Sequence, residues 1–275
     1  MSLRTSLRYM DLAKSTYLYQ PTSSEKKERV YRLDSSLEQA LHQLSGYELT
    51  LGHRKLTYYL RDEHDQIWNH KKVYKHMKHL ELLQPRHIKR RWKKNRRLHY
   101  CSPIASDIRW EMDLTWVPTQ MGNAYLFVVE DTHDRELIGS EMGLQCKADQ
   151  AIEALRQALL NRFGTEHAED LHLSVRVDRG CQFTAEAFDV YAQSCGIELE
   201  FCAIQTPNDK PYIESFIGCY KQEEVYRNDY ASFFEAYDSW QRYIAWYNEK
   251  RPHGALGNRS PKQFRETENL SFVLA

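Results

Sequence analysis

The chain has 275 residues, 28% charged and 41% hydrophobic, with 12% aromatic, a globular composition that excludes a disordered chain. A mean hydropathy of -0.72 and the lack of any long apolar run exclude a membrane span, and residues 1–20 show no export signal. Net charge is zero, yet the average hides an asymmetry. Residues 1–105 hold 22 Lys and Arg against 10 Asp and Glu, whereas residues 106–275 hold 16 against 28. A basic part followed by an acidic one predicts a polyanion-binding region joined to one that gathers cations. The six cysteines are scattered with no C-x-x-C pair, so reduced thiols in a cytoplasmic protein and no zinc site are expected.

The first part reads as helical. Val30, Leu33, Leu37, Leu41 and Leu44 share one helix face that Ser23 or Ser24 can cap, and Gly46 ends it. A second helix is predicted over 53–64 with Leu56, Tyr59 and Leu60 inward, then a turn over 65–69. The third, over 70–82, turns Val73, Met77 and Leu80 inward and leaves Lys71, Lys72 and Lys75 outside. Two readings fit equally: a helix-turn-helix whose last helix enters a DNA groove through Lys71, Lys72 and Lys75, or a plain bundle with a solvated lysine face. Residues 86–97 carry eight Lys and Arg, among them Arg90, Arg91, Lys93 and Lys94, and no acid. Such density in a linker favours contact with nucleic-acid phosphates over a solvated hinge. The expected division is a helical DNA-binding region over 1–85, a basic linker over 86–105 and a larger domain over 106–275.

From residue 106 the pattern becomes α/β. Residues 110–117 alternate strictly and put Glu111, Asp113 and Thr115 on one face. Strands are predicted over 124–130 and 136–143, then a helix through Ile152, Leu155, Leu159 and Phe163, a strand over 171–177, a helix over 185–195 and a strand over 197–203. Two helices follow, one opened by Pro211 and one carrying Phe233, Tyr237, Trp240, Ile244 and Tyr247 inward. The sum is a mixed five-stranded sheet with helices on its faces.

That order brings three acids together: Asp113 in the first strand, Asp178 at the end of the fourth, and Glu214 in the first turn after Pro211. Converging carboxylates repel unless cations neutralise them, and hard oxygen ligands suit Mg²⁺ or Mn²⁺. Two such ions ~3.5–4 Å apart support in-line phosphoryl displacement. Asp131 and Asp134 fall at a polar turn and are not expected to bind metal. No Gly-rich phosphate loop occurs, so ATP is not expected, and neither a G-x-S-x-G elbow nor an H-E-x-x-H helix is present. The residues alone predict metal-dependent phosphoryl transfer on nucleic acid.

Four motifs carry a family resemblance: Trp110-Glu111-Met112-Asp113-Leu114-Thr115; Asp178-Arg179-Gly180-Cys181-Gln182-Phe183-Thr184; Pro211-Tyr212-Ile213-Glu214-Ser215-Phe216 with Lys221 beyond; and Tyr247-Asn248-Glu249-Lys250-Arg251-Pro252-His253. With 35 residues between Asp178 and Glu214, they resemble the retroviral-integrase-type core of insertion-sequence transposases of the IS-three family. Residues 51–56 and 73–85 resemble the helix-turn-helix module before that core. Val177 stands where the family usually has Ser, and Asn208-Asp209 reverses a common Asp-Asn.

The resemblance implies an RNase H-like fold and two Mg²⁺ (or Mn²⁺) held by Asp113, Asp178 and Glu214, without ATP or zinc. It implies cleavage of double-stranded DNA at transposon ends and transfer of the freed 3′-OH into a target. It also implies DNA contacts by Lys221, for which a surface pair with Glu224 fits equally, by Lys210 in the loop before Glu214, and by Arg251, for which capping the preceding helix is the simpler reading. At least a dimer on DNA is expected, in the cytoplasm at the nucleoid. Relatives are often second-frame products completed by an upstream end-binding partner or fusion, and no leading zipper is read here. The alternatives are an RNase H-like nuclease that nicks without joining and a silent DNA-binding regulator.

Overall fold

The structure, a computed structural model, describes residues 3–18, 33–64, 66–84, 103–168, 172–203 and 209–273. The chain forms two compact units, Met1–Ser35 and Ser36–Ala275. The first contains the short helices α1 (Leu3–Tyr9) and α2 (Lys14–Tyr17).

In the second unit α3 (Ser35–His42) buries Leu37, Ala40 and Leu41. Val30, Ser23 and Ser24 of the expected helix lie outside the described residues. A 3-10 turn over Tyr47–Thr50 leads to α4 (His53–His64) and α5 (His70–His79). Asn69 caps α5 by accepting from the Lys71 amide at 2.9 Å, which satisfies one of the helix's free N-terminal donors. The helix stops at His79, short of the expected residue 82, because Glu81 takes a left-handed φ of 57°.

Five strands follow: β1 (Arg109–Thr119), β2 (Gly122–Asp131), β3 (Leu137–Gly143), β4 (Ser174–Val177) and β5 (Glu198–Phe201). Their order is β3-β2-β1-β4-β5. The first three form an antiparallel meander, and β4 and β5 run parallel to β1. This is the predicted mixed sheet. On one face α6 (Ala148–Phe163) and α7 (Glu186–Ser194) cover Trp110, Met112, Phe127 and Val129. Gly139 is required there, since a Cβ would collide with the backbone of Ala154 and Ala158 in α6. On the other face α8 (Pro211–Glu223) and α9 (Phe233–Glu249) bring Ile213, Phe216, Tyr220, Trp240 and Tyr243 against Val117, Leu126 and Val128.

The helical part from Ser36 onward is not a separate body, in contrast to the expected boundary at 85. Leu37, Leu41, Leu56, Leu60, Val73 and Met77 belong to the same apolar cluster as the α8 and α9 aromatics. The Tyr47 ring lies 5.3 Å from that of Tyr243 and 5.1 Å from that of Trp246. The reason is α9, whose aromatics project on more than one side, so one face meets the sheet and another meets the helices. A last helix, α10 (Pro261–Val273), was not expected from sequence. It has no sustained apolar stripe, and its signals are Pro261 at the first position and the capping box of Ser260 with Gln263. Among the described residues no helix is long and apolar enough to cross a membrane.

Candidate active site

The polar face of β1 does not look into solvent but onto the start of α8. Glu111 is fully buried, and its Oε2 accepts the amides of Tyr212 at 3.0 Å and Ile213 at 2.9 Å. A carboxylate there satisfies two free donors and opposes the positive end of the helix dipole. It also fixes the helix that carries Glu214 to the strand that carries Asp113, two residues away. Pro211 opens α8 with its φ already suited to helix.

Asp178 is the first residue past β4. Its Oδ1 accepts the Gly180 amide at 2.8 Å, and a Cβ at Gly180 would displace the Gln182 side chain or the Asp178 carboxylate. Because β4 lies parallel beside β1, the Asp178 side chain reaches the Asp113 side of the sheet. The link between the two is Lys210. Its Nζ donates to Asp113 Oδ1 at 2.8 Å and to the Met112 carbonyl at 3.1 Å, and it lies 3.7 Å from Asp178 Oδ2. The Lys210 side chain is only 5% exposed, whereas that of Asp178 is 46% exposed.

Electrostatics join the third acid to the first. Burial pushes the Asp113 carboxyl above the usual range, the Lys210 ammonium opposes this, and Asp178 adds to it. Partial burial, then the Asp113 charge, pushes Glu214 up as well. Among the described residues no group of three or more His, Cys, Asp or Glu is gathered closely enough to hold a metal ion. Asp113 and Asp178 instead share one ammonium. Two hard carboxylates turned onto a single positive charge are a donor set that a divalent cation fits.

Two families, both described as integrase core domain, match residues 105–207 and 195–261. Together the two matches cover residues 105–261, more than half of the chain, which belongs to the integrase core family. The transposase for insertion sequence element IS904 of Lactococcus lactis subsp. lactis is 29% identical over 57% of this chain and 60% of its own length. The 39.2 kDa protein of insertion element IS476 of Xanthomonas euvesicatoria is 28% identical over 96% of this chain and 72% of its own. Over the core alone the chain spans about three-fifths of the length of such relatives. A chain of the simian T-cell lymphotropic virus intasome, solved in complex with PP2A regulatory subunit B56 gamma, superposes with a TM-score of 0.50 at 13% identity, covering 78% of this chain and 70% of that one. This likeness shows the fold, which is RNase H-like.

In this integrase core the three acids lie on the elements expected to carry them, whereas two of the expected DNA contacts are turned elsewhere. Lys210 points inward onto Asp113 and Asp178 rather than outward to phosphate, because two carboxylates outcompete solvent for its ammonium. Arg251 is buried and pairs in a fork with Glu223, at 2.9 Å from Nε and 2.6 Å from Nη2. That ties the end of α9 to α8, so the role of Arg251 is structural. Its neighbours act likewise. Asn248 pairs both ways with the Leu137 backbone, at 2.9 and 2.8 Å. Burial and Arg251 hold the His253 imidazole well below its usual pKa.

Lys71 and Lys75 are exposed on α5 away from its buried Val73, His76 and Met77, and Lys72 is half-buried, one turn before His76. Lys221 lies on α8 with its ammonium 4.2 Å from the Trp116 ring centre. Arg90, Arg91, Lys93 and Lys94 lie outside the described residues. Asp131 and Asp134 are fully buried around Arg162, which Asp134 meets at 2.7 Å, and they serve the fold. Glu111 reads in the sequence as a polar residue of β1 without a role. An acid two places before Asp113 in an apolar strand is the signal, and only the position of α8 interprets it.

Proposed function

We propose that the chain is a DNA transposase, cleaving phosphodiesters at transposon ends and transferring the freed 3′-OH into target DNA, a polynucleotidyl transfer without ATP. The observation that supports it is the convergence of Asp113 and Asp178 on one cationic position, beside Glu214, in an integrase core. Asp113, Asp178 and Glu214 would hold Mg²⁺ or Mn²⁺, which when bound neutralises the phosphodiester and makes a water or hydroxyl a better nucleophile at neutral pH.

The protein residues supply position. Glu111 holds α8 in register with β1, so Glu214 keeps its place relative to Asp113. The Gly180 turn holds Asp178 at the open side, where a phosphodiester arrives. Asp113, less exposed, stays behind it. Lys71, Lys72 and Lys75, with the basic stretch at 86–97, would bind DNA phosphates, and Lys221 the strand along α8. Joining two ends calls for at least a dimer on DNA, and an upstream end-binding partner or fusion would add specificity. Such a protein works in the cytoplasm at the nucleoid.

The test is incubation in Mn²⁺ with labelled duplexes copied from the DNA flanking the gene, beside Glu214→Gln. Joined products from the unaltered protein alone are expected. Nicks without joining would point to a nuclease, and tight binding with no reaction by either protein to a regulator. Asp178→Asn should abolish cleavage and leave DNA affinity within about threefold, since it removes a cation ligand and not a group that binds phosphate. Replacing Lys71, Lys72 and Lys75 with Ala should weaken binding across sequences and lower the salt slope by about one for each phosphate no longer neutralised. An unchanged slope would return α5 to a solvated face.

A further inference from the structure

The fold leaves a large aromatic ring in solvent at the edge of the strand that carries Asp113. Strand β4 pairs with β1 only from Arg109 to Glu111, so from Met112 to Pro118 β1 has a strand on one side alone. Trp116 stands in this stretch, three residues beyond Asp113 and so leaving the opposite face of the strand, and is 56% exposed. Its cross-strand partner Tyr125 explains an aromatic at this position, since such pairs stabilise a sheet. It does not explain the exposure, because a Trp contributes to stability chiefly by burying its ring.

Helix α8 runs past this open edge. Glu214, Gly218 and Lys221 are spaced four and three residues apart, hence on one face of the helix. Seven residues carry that face ~10 Å from the acid site to the ring. At Lys221 the ammonium lies 4.2 Å from the Trp116 ring centre. Midway, Gly218 is exposed in the helix interior, and a Cβ there would meet nothing within 4 Å. No neighbour in the fold demands glycine, and in a helix it is less stable than alanine by about 1 kcal/mol. What glycine does provide is room for another backbone to lie close against α8.

We propose that Trp116, with Lys221, forms a subsite for one unpaired nucleobase and its phosphate, on a strand that runs over Gly218 from the acid site. The inference rests on the strand-transfer reading of Asp113, Asp178 and Glu214 and adds to it the state of the DNA. Inside a duplex both faces of a base are covered by its neighbours, so away from a blunt end a ring in solvent stacks only on a base released from pairing. Lys221 lies over one face of the indole and supplies the charge for the phosphate. The base takes the ring surface left in solvent. The subsite therefore selects DNA whose end is frayed or already cut back on one strand, at one to two nucleotides from the reacting phosphate.

The full chain, without divalent metal, is titrated against a blunt duplex and against the same duplex with a short single-stranded tail carrying 2-aminopurine. Trp116→Ala should weaken binding of the tailed DNA by about tenfold, as expected when one base no longer stacks, and change the blunt duplex by less than about twofold. Trp116→Phe keeps a ring and should restore most of the affinity. The 2-aminopurine should be quenched by the unaltered protein and bright with Trp116→Ala. Lys221→Ala should instead flatten the salt dependence on the tailed DNA. Equal losses on both DNAs, an unquenched probe, or failure of Trp116→Phe to restore binding would overturn the subsite. If the protein binds and cleaves DNA while Trp116→Ala is without effect, the subsite fails alone. If it binds neither DNA, the strand-transfer reading fails with it.

Discussion

Glu111 and Glu130 are paired across β1 and β2, both buried, and their environments set different fates. Glu111 accepts two amides at the start of α8, so its carboxylate is matched to donors. Glu111→Ala leaves those donors without their acceptor and should destabilise the fold by about 1–3 kcal/mol. It should also slow cleavage, because Glu214 loses its anchor. Glu111→Gln retains an acceptor oxygen and should lose less on both counts. Denaturant melts beside cleavage rates check this, and equal cleavage by all three proteins would remove Glu111 as a positioning residue. Glu130 Oε2, in contrast, has no hydrogen-bond partner among the described residues, and burial, with Glu111, Asp131 and Asp134 nearby, drives its pKa well above the usual value while Arg135 opposes. The folded chain then binds a proton that the unfolded chain releases above its ordinary pKa. Stability from this group is complete at acid pH and falls as pH rises, by at most about 1.4 kcal/mol per pH unit. Glu130→Gln keeps the neutral form at every pH. Its melting temperature should match the parent's near pH 4 and exceed it increasingly toward pH 8, and a constant difference across that range would contradict the assignment.

Helix α8 shows what the sequence pattern could and could not convey at the scale of an element. Pro211 and the apolar Ile213, Phe216 and Tyr220 announce an amphipathic helix, and that much was legible. Its docking was not, because it depends on partners far along the chain: Glu111 at one end and Arg251 at the other. Arg251 meets Glu223 in a fork at 2.9 and 2.6 Å, with side chains 4% and 12% exposed. In sequence an arginine after a helix reads as a cap or a DNA contact, since nothing local reveals that an acid 28 residues earlier awaits it. Arg251→Ala leaves Glu223 only the Tyr243 hydroxyl at 3.0 Å in place of its charge partner and should cost about 3–5 kcal/mol, as breaking one half of a buried pair does. Arg251→Lys restores charge but not the fork and should recover only part. Equilibrium unfolding measures both, and DNA affinity of the folded fraction should stay unchanged. A selective loss of DNA affinity with unaltered stability would return Arg251 to the DNA surface.

For the whole molecule, the apolar cluster shared by α3–α5 and α8–α9 sets the cooperativity. Residues from Ser36 onward should melt in one transition followed by far-UV and near-UV signals alike. Tyr47→Ala removes the ring that meets Tyr243 and Trp246. It should lower that single transition by about 2–3 kcal/mol, below the range for a fully buried ring, without splitting it. Two separated transitions would mean that the helices and the sheet fold independently. By itself the sequence determined the five-strand count, the alternation of strands and helices in the sheet region, and the spacing of Asp113, Asp178 and Glu214. Each follows from short-range order: apolar period, turn residues, and charge within an otherwise apolar strand. Tertiary structure alone decided that Lys210 faces the acids, that Arg251 is buried, that Glu111 holds α8, and that the helical region joins the core. These are pairings between residues distant in the chain, and periodicity records which face of an element is apolar or charged but not what that face meets.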